Sequence, residues 1–333
     1  MGIISFALKG NYRRYYGDLK ELSKTTHKPA WFMFLDTAVC TLRYGSGLQD
    51  YLNFRFYEKK HAQRKTYVSV GYLDKSITKL SNIKWSPYIS NKTNFHKNYG
   101  QYTRRDFFDP DGGFEALNAF LDRNPVFIYK PQIGQCGESV AKLTTADIED
   151  RKAFYDQVMA QKACLEELVK QHPAWEALCP GCVNTLRIIT GAAKGQSWIL
   201  FGATRVGSGT SVADNFHMGG SAVLIDMETG KLMGTGLDKK LNEHECSATG
   251  VRYDGYQVPY WEEIKQLCLD AALVNDQIHF VGWDVAITPN GPLLIEGNRG
   301  SGFDLPQVLT KRGMKDMIDE LIAKVEELER ENS

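Results

Sequence analysis

Residues 282–298 have the sequence GWDVAITPNGPLLIEGN. Two β-rich runs flank Pro-Asn-Gly, a composition typical of a tight hairpin turn. With residues 289–291 as a three-residue loop, Thr288 opposes Pro292 and Asp284 opposes Glu296. Directly opposed side chains in an antiparallel pair share a face, with their Cβ atoms ~5 Å apart. The stretch therefore predicts a hairpin that brings two carboxylates together.

A third oxygen donor follows on the same strand. Asn298 lies two residues beyond Glu296 and so points to the same face. Two carboxylates and an amide oxygen suit magnesium or manganese, with phosphate oxygens completing the shell. A cation would also relieve the repulsion between the opposed acids. The alternative is an exposed hairpin with incidental acids, and a two-residue loop would displace the Asp284–Glu296 pair by one.

A second pattern suits phosphate. Residues 126–129 form a predicted strand that ends at Lys130, and the polar loop after it contains Gly134 and Gly137. A cation beside exposed backbone N–H groups is a phosphate-binding arrangement. The loop matches neither the Walker nor the dinucleotide pattern, so a plain β-hairpin is the alternative.

Two arginines lie within or at the end of predicted strands. Arg187 lies among the apolar residues of 184–190, and Arg205 ends the strand 197–205. Since an unpaired buried arginine is costly, both are expected to face an anion or a cleft. A polar loop before the next strand holds four candidate substrate-binding residues: Asp214, Asn215, Gly219 and Gly220. His217 in this loop is expected to be a surface or hydrogen-bonding residue, with a catalytic role as the alternative.

The order of elements predicts an α+β protein. Further strands are predicted at residues 140–143, 221–226, 277–287 and 293–296, and helices at residues 114–121, 147–160, 261–272 and 314–330. By periodicity alone the second helix could continue through Val169. Residues 1–88 are predicted to hold short helices, with a strand or extended segment at 66–70. The basic and aromatic stretch from Lys9 to Lys28 is interpreted as a loosely structured start, with docking to a membrane enzyme or anionic glycan as the alternative.

Composition and short motifs argue against several classes of protein. The 333 residues contain 40 basic and 40 acidic side chains, so bulk charge favours neither nucleic acid nor a wide membrane surface. Seven scattered cysteines indicate no disulfide framework and fit a cytoplasmic location. The lone pair Cys179 and Cys182 has CxxC spacing, which supports zinc only weakly against packed thiols. No apolar run has the ~20 residues of a transmembrane helix, and the first residues lack signal-peptide and myristoylation patterns.

Taken in order, these pieces resemble the ATP-grasp superfamily, and within it the sugar-transfer-associated ATP-grasp family. The resemblance extends from about Asn91 to Gln307. It is carried by four stretches: QHP at 171–173, VNTLRI at 183–188, VADNF with GG at 212–220, and GWD at 282–284 through EGN at 296–298.

The resemblance implies an ATP-grasp fold, in which two α+β lobes grip ATP between them. A mainly helical N-terminal region precedes the lobes in the chain. The implied division is 1–88, 89–170 with the glycine loop and hinge, and 171–333 with the metal site. It also implies a site: Lys92 and Lys130 at the nucleotide, the loop of Gly134 and Gly137 over the phosphates, Glu166 and Glu167 at adenine and ribose, Arg187 at the phosphates, and Asp284, Glu296 and Asn298 on Mg²⁺ or Mn²⁺. The hinge in such folds is extended, which ends the preceding helix near Gln161 and makes 164–169 strand. Cys136 is a departure, because this loop is often richer in glycine.

The implied activity is that of an ATP- and Mg²⁺-dependent carboxylate–amine ligase acting through an acyl phosphate. Its expected partners are small-molecule carboxylates and amines, such as an amino acid with a sugar acid or amino sugar in polysaccharide or glycoconjugate biosynthesis. Arg205 and the loop at 214–220 are expected to position the carboxylate or the acceptor. The alternatives are a phosphotransferase acting on a small acid or hydroxyl, and a non-catalytic nucleotide-binding scaffold of a glycan-assembly complex.

Overall fold

The computed structural model describes residues 11–132, 140–209 and 220–331. Its helices are α1 (Tyr12–Thr26), α2 (Ala30–Tyr44), α3 (Leu48–Asn53), α4 (His61–Arg64), α5 (Val70–Leu80), α6 (Ser86–Ser90), α7 (Lys92–Thr103), α8 (Gly113–Arg123), α9 (Arg151–Gln161), α10 (Pro173–Glu176), α11 (Trp261–Ala272), α12 (Asp304–Thr310) and α13 (Lys315–Glu331). Its strands are β1 (Val126–Pro131), β2 (Ala141–Thr144), β3 (Ala163–Glu167), β4 (Thr185–Ala193), β5 (Gln196–Val206), β6 (Ser221–Ile225), β7 (Leu232–Leu237), β8 (Glu243–His244), β9 (Phe280–Thr288) and β10 (Gly291–Arg299).

Contacts group the chain into two compact units. One comprises the described residues up to Leu80 together with those from Gly302 onward, and the other is Ser81–Ser301. The division predicted at 1–88, 89–170 and 171–333 stays a prediction beside these units.

In the first unit, a helix begins at Tyr12, the second described residue. Asn11 caps α1 by accepting the N–H of Arg14 at 3.1 Å. Tyr15 and Leu19, four residues apart on one face, are buried, and the Tyr15 hydroxyl lies 2.7 Å from Thr37 Oγ1 on α2. The prediction of a loosely structured start is therefore wrong for residues 12–26, because a cap and two buried side chains stabilise a helix there.

Residues 66–70 contain no strand. Val68 is nevertheless paired, since its N–H donates to Gln307 Oε1 at 2.7 Å and its carbonyl accepts from Gln307 Nε2 at 3.0 Å. A glutamine side chain on α12 thus makes the hydrogen bonds that a neighbouring strand would make. The next residues enter α5 at Val70, so the β-branched run is a short connection between helices.

The second unit contains a small sheet covered by helices. Its strands are antiparallel in the order β2-β1-β3, and α8 and α9 pack on them around Leu117, Phe120 and Phe127. Helix α9 ends at Gln161, and Lys162 leaves it in the left-handed region with φ 49°. Strand β3 then begins, so the extended hinge implied by the resemblance is confirmed through Glu167, and the longer helix suggested by periodicity is absent.

The same unit contains a larger antiparallel sheet, ordered β10-β9-β4-β5-β6-β7-β8. Helix α11 packs against it through Ile264, Leu267 and Cys268, which meet Ile188 and Trp283 of the central strands in one core. Antiparallel sheets with segregated helices confirm the α+β prediction. Among the described residues, no helix has the length and apolar character needed to cross a membrane.

Candidate functional site

Three charged side chains form a row across neighbouring strands of the larger sheet. Asp284 on β9 is paired with Arg187 on β4 on one side and with Glu296 on β10 on the other. Because directly paired residues share a face, the arginine and the two acids project from the same side. The pairing of Asp284 with Glu296 is the one that the sequence predicted.

The route to that pairing differs from the prediction. The turn has two residues, so Thr288 pairs with Gly291, which takes φ +107°. That turn alone would displace the acids by one position. A bulge between Leu294 and Glu296 inserts Ile295 as an extra residue and restores the register. The prediction of a three-residue loop is therefore wrong. The observed turn is one residue shorter, and the bulge adds the residue that restores the predicted pairing.

Two arginines hold Asp284. Arg187 donates to it through Nε at 2.6 Å and Nη2 at 3.2 Å, and Arg205 donates through Nη2 at 2.8 Å. Burial alone would raise the pKa of Asp284, but the charges of Arg187 and Arg205 outweigh it and lower the pKa to about 2. Arg187 also donates to Ser301 Oγ at 3.0 Å. Both predicted arginines thus face an anion. We call Asp284, Glu296, Arg187 and Arg205 the Asp284 cluster.

The pKa of Glu296 is shifted in the opposite direction to that of Asp284. Burial raises its pKa, and so does the charge of Asp284, while Lys130 and Lys92 only partly offset these effects. Asn298 Nδ2 donates to Glu296 Oε1 at 3.2 Å, so the third predicted donor is also present. Oδ1 of Asp284 accepts one arginine hydrogen bond and Oδ2 accepts two, so the lone pair that no arginine uses is on Oδ1. Two close carboxylates and an amide fit a divalent cation, which would remove their repulsion.

A second buried carboxylate lies in the hinge strand. Glu166 on β3 lies 2.6 Å from Lys130 Nζ through Oε1 and 2.8 Å from Arg105 Nη1 through Oε2. His96 Nε2 lies 3.0 Å from Oε1, at ion-pair distance but without hydrogen-bond alignment. Burial would raise the pKa of Glu166, yet Lys130 and Arg105 hold it well below its usual range. We call these four residues the Glu166 cluster.

Lys92 and Lys130, the two lysines predicted to contact the nucleotide, interact electrostatically with carboxylates of both clusters. Lys92 is the first residue of α7, and burial lowers its pKa, with Glu296 opposing and Lys130 reinforcing the shift. Lys130 is paired with Glu166 while its charge also acts on Glu296. Lys92, Lys130, Glu166 and Glu296 therefore share one site. Glu167 is exposed at the end of β3, where its carboxylate accepts the N–H of Asp106 at 3.0 Å.

Sequence reasoning missed Arg105 and His96. Besides Glu166, Arg105 Nη2 contacts the carbonyls of Leu294 and Ile295, both at 3.4 Å, and so holds the bulge. His96 stacks on Phe107 with ring centroids 4.6 Å apart. Arg105 lies 61 residues from Glu166 in sequence and 189 from Leu294. Contacts between residues so far apart in sequence cannot be predicted from local spacing.

Several predicted residues lie outside the described residues: Gly134, Cys136, Gly137, Asp214, Asn215, His217 and Gly219. Gly220 is described, and it is buried directly before β6. Cys179 and Cys182 are buried, and the Cys182 thiol donates to the Cys179 carbonyl at 3.4 Å. In the described part of the chain, no third metal-binding side chain joins that pair.

Comparisons with solved structures find ATP-grasp ligases. The ligase PsnB complexed with a minimal precursor is 17% identical, with 73% of this chain and 62% of that chain covered and a TM-score of 0.43. The D-alanine–D-alanine ligase from Coxiella burnetii is 12% identical, with 76% and 62% covered and a TM-score of 0.43. The D-cycloserine synthetase DcsG is 12% identical, with 74% and 73% covered and a TM-score of 0.44. This chain spans about three fifths of the length of the PsnB chains.

No curated protein matches the sequence. A family model does, described as sugar-transfer associated ATP-grasp, and it matches residues 115–323. The matched range holds the whole Asp284 cluster, the hairpin that links Asp284 to Glu296, and two of the four residues of the Glu166 cluster, Lys130 and Glu166. The chain belongs to the sugar-transfer associated ATP-grasp family.

Proposed function

We propose that the protein is an ATP- and Mg²⁺-dependent carboxylate–amine ligase that works through an acyl phosphate. The observation that carries the proposal is the row Arg187–Asp284–Glu296, faced by the charges of Lys92 and Lys130. A close acid pair beside several cations matches the needs of a metal-bound nucleoside triphosphate.

Asp284, Glu296 and Asn298 would hold the metal. When bound, Mg²⁺ would neutralise the terminal phosphates of ATP and lower the charge barrier to attack on them. Asp284 remains ionised at all ordinary pH values because Arg187 and Arg205 depress its pKa to about 2. Glu296, whose pKa is raised, needs a nearby cation to ionise with the same ease.

The cations of the site would act on the transferring phosphoryl group. Lys130 is anchored by Glu166 at 2.6 Å, which fixes the position of its ammonium group. Arg187 is fixed in the same way by Asp284 and Ser301. Such preorganised charges stabilise a transition state without reorganising during the reaction.

The proposed reaction has two steps. A substrate carboxylate oxygen attacks the γ-phosphorus of ATP, the bond to the β-phosphate oxygen breaks, and ADP departs with the electron pair. An amine nitrogen then attacks the acyl carbon, the C–O bond breaks, and inorganic phosphate leaves while the nitrogen loses a proton. Arg205 and the loop at 214–220 are proposed to position the carboxylate or the amine.

The family description, which associates these proteins with sugar transfer, supports a sugar-linked substrate. We propose an amino acid as one partner and a sugar acid or amino sugar as the other. The test is ADP release from the purified protein with Mg²⁺ and ATP, across paired panels of amino acids, sugar acids and amino sugars.

Sustained ADP release that requires both a carboxylate and an amine, with a product lighter than the two substrates by one water, is the expected result. ADP release with an acid or hydroxyl alone, and a phosphorylated product, would assign the protein as a phosphotransferase. Mg²⁺-ATP binding without turnover on any pair would assign a nucleotide-binding scaffold.

A further inference from the structure

Helix α2 of the first unit has an apolar face that the described residues leave uncovered. Its inner side is buried through Met33, Thr37 and Cys40. Its outer side carries large apolar side chains exposed to between 50% and 80%: Trp31, Phe32, Leu35, Val39 and Leu42. Residues 31, 35, 39 and 42 recur at helical spacing and form one stripe. A helix that is apolar all round is ordinarily buried on all sides.

The stripe leads into a cationic pocket. Leu42 also lines a cavity of about 360 Å³ with Arg43, Lys65, Lys75 and Lys315. The residues lining it include no aspartate or glutamate. Lys65 and Lys75 are exposed, and the Lys315 ammonium lies 4.5 Å from the centroid of the Tyr72 ring. An apolar stripe that ends at such a pocket combines a surface for acyl chains with a surface for phosphate.

The charge of this region supports an anionic partner. Residues 11–65 contain eleven lysine and arginine side chains against five acidic ones, although the whole chain is balanced at 40 each. The exposed cations include Arg13 and Arg14 at the start of α1. Basic residues beside a Trp/Phe/Leu stripe are typical of helices that lie in a membrane interface.

We propose that this face, the α2 stripe with its neighbouring pocket, binds the surface of a membrane that contains anionic phospholipid. Apolar side chains of α2 enter the acyl boundary, and the pocket cations contact headgroup phosphates. A second copy of this chain is a poorer occupant, because a two-fold contact would oppose two cation-rich surfaces. Five side chains on one helix also fall short of the roughly 20 residues per side of a stable interface.

The proposal is independent of the ligase chemistry and is tested on the full chain by vesicle flotation. Vesicles of phosphatidylcholine mixed with phosphatidylglycerol are compared with vesicles of phosphatidylcholine alone. We expect binding to the mixed vesicles that weakens with added salt, and little binding to the neutral ones.

Two double variants separate the two contributions. Leu35→Glu with Leu42→Glu removes two inserted side chains and is expected to weaken binding about a hundredfold. Lys65→Gln with Lys75→Gln removes two headgroup contacts and is expected to weaken it ~30-fold. The controls are Ile83→Glu, at a 70% exposed apolar residue of the other unit, and Lys239→Gln with Lys240→Gln, at exposed lysines. Both controls should bind like the wild type.

Circular dichroism and thermal unfolding establish that each variant is folded. Equal binding to neutral and anionic vesicles, or unchanged binding of the Leu35/Leu42 variant, would overturn the proposal. A wild-type dimer in light scattering that this variant converts to a monomer would also overturn it, by assigning the stripe to self-association.

Discussion

The Glu166 cluster and the Asp284 cluster both bury a carboxylate beside two cations, but their charge balance differs. Glu166 is contacted by Lys130, Arg105 and His96, and the two formal positive charges exceed its own. Asp284 has Arg187 and Arg205 on one side and a second acid, Glu296, on the other. The first arrangement needs no further ion. The second has an acid pair whose repulsion a divalent cation would remove, and this difference supports the proposal that the metal binds at the Asp284 cluster.

The largest expected effect is on stability at the Glu166 cluster. Glu166→Gln leaves Lys130 and Arg105 buried without a counter-charge, which costs roughly 3–5 kcal/mol of the free energy of unfolding. Urea unfolding measures it. The matched control is Arg123→Gln, which breaks the more exposed pair with Asp106 and should cost less than about 1 kcal/mol. Equal losses in the two variants would contradict the distinction between the clusters.

The second effect is on activity at the Asp284 cluster. Glu296→Gln should lower kcat/KM for ADP release by at least about a hundredfold, because it removes a proposed metal ligand. Stability should be unchanged or higher, since the repulsion with Asp284 disappears. Mg²⁺-ATP should raise the Tm of the wild type but not of this variant. Glu245→Gln, at an exposed glutamate, is the control, and near-normal turnover of Glu296→Gln would remove the metal assignment.

The third effect is a pH dependence with a defined sign. The pKa of Asp284 is about 2 in the folded protein, compared with an ordinary 3.8. The stability that its ionised form contributes is therefore fully present above the pKa of the unfolded state and is lost as pH falls toward 2. Each pKa unit corresponds to ~1.4 kcal/mol, which gives a loss of about 2 kcal/mol. Glu166, also depressed, acts in the same direction.

Glu296 acts in the opposite direction in the same titration. Its raised pKa means that its penalty is present at higher pH and disappears when it takes up a proton. Urea unfolding from pH 4 down to about pH 2, for the wild type and Glu296→Gln, measures both contributions. In Glu296→Gln, which lacks the opposing titration, a free energy of unfolding that stays constant over this range would contradict the ion pairing of Asp284.

The smallest effect concerns Arg105, which connects Glu166 to the bulge of β10. Arg105→Lys keeps the charge beside Glu166 but cannot reach the carboxylate and the bulge carbonyls together. We expect about a tenfold weaker affinity for the metal, measured by Mn²⁺ binding in electron paramagnetic resonance. Arg104→Lys is the control, because the Arg104 side chain donates to the Pro292 carbonyl of β10 at 3.5 Å and to the Gln101 carbonyl at 3.2 Å, and neither group belongs to the bulge. Equal Mn²⁺ affinity in both variants would show that Arg105 does not position Glu296.

Local pattern predicted most of the elements. Helix α11 begins and ends at the predicted residues, and α13 differs from its prediction by one residue at each end. These segments succeed because their apolar spacing and bounding residues are local properties. The Asp284–Glu296 pair was also predicted, although through a compensating error, since turn length and bulge cancel. A bulge has no sequence signature as firm as a turn, so the count alone did not distinguish the two routes.

The environment of Glu166 was beyond such reasoning. The resemblance implied a place for it at the hinge, but its partners come from residues 36 to 70 positions earlier in the chain. Nothing in the spacing of His96 and Arg105 marks them as neighbours of a carboxylate. Contacts of this kind depend on how α7 and the segment after it meet β3, which is a property of tertiary packing.

The bulge at Ile295 separates the observed alignment of the hairpin from a regular one that differs from it by a single residue. If the extra residue were absorbed into a regular ladder, Ile295 would face Asp284 and Glu296 would turn to the opposite side of the sheet. Deleting Ile295 would place Glu296 directly after Leu294 and keep it opposite Asp284, with no slipped state left to compete. Losing a residue from a strand usually moves every later side chain to the other face of the sheet. Here the shortened strand would instead pair with β9 in a single register.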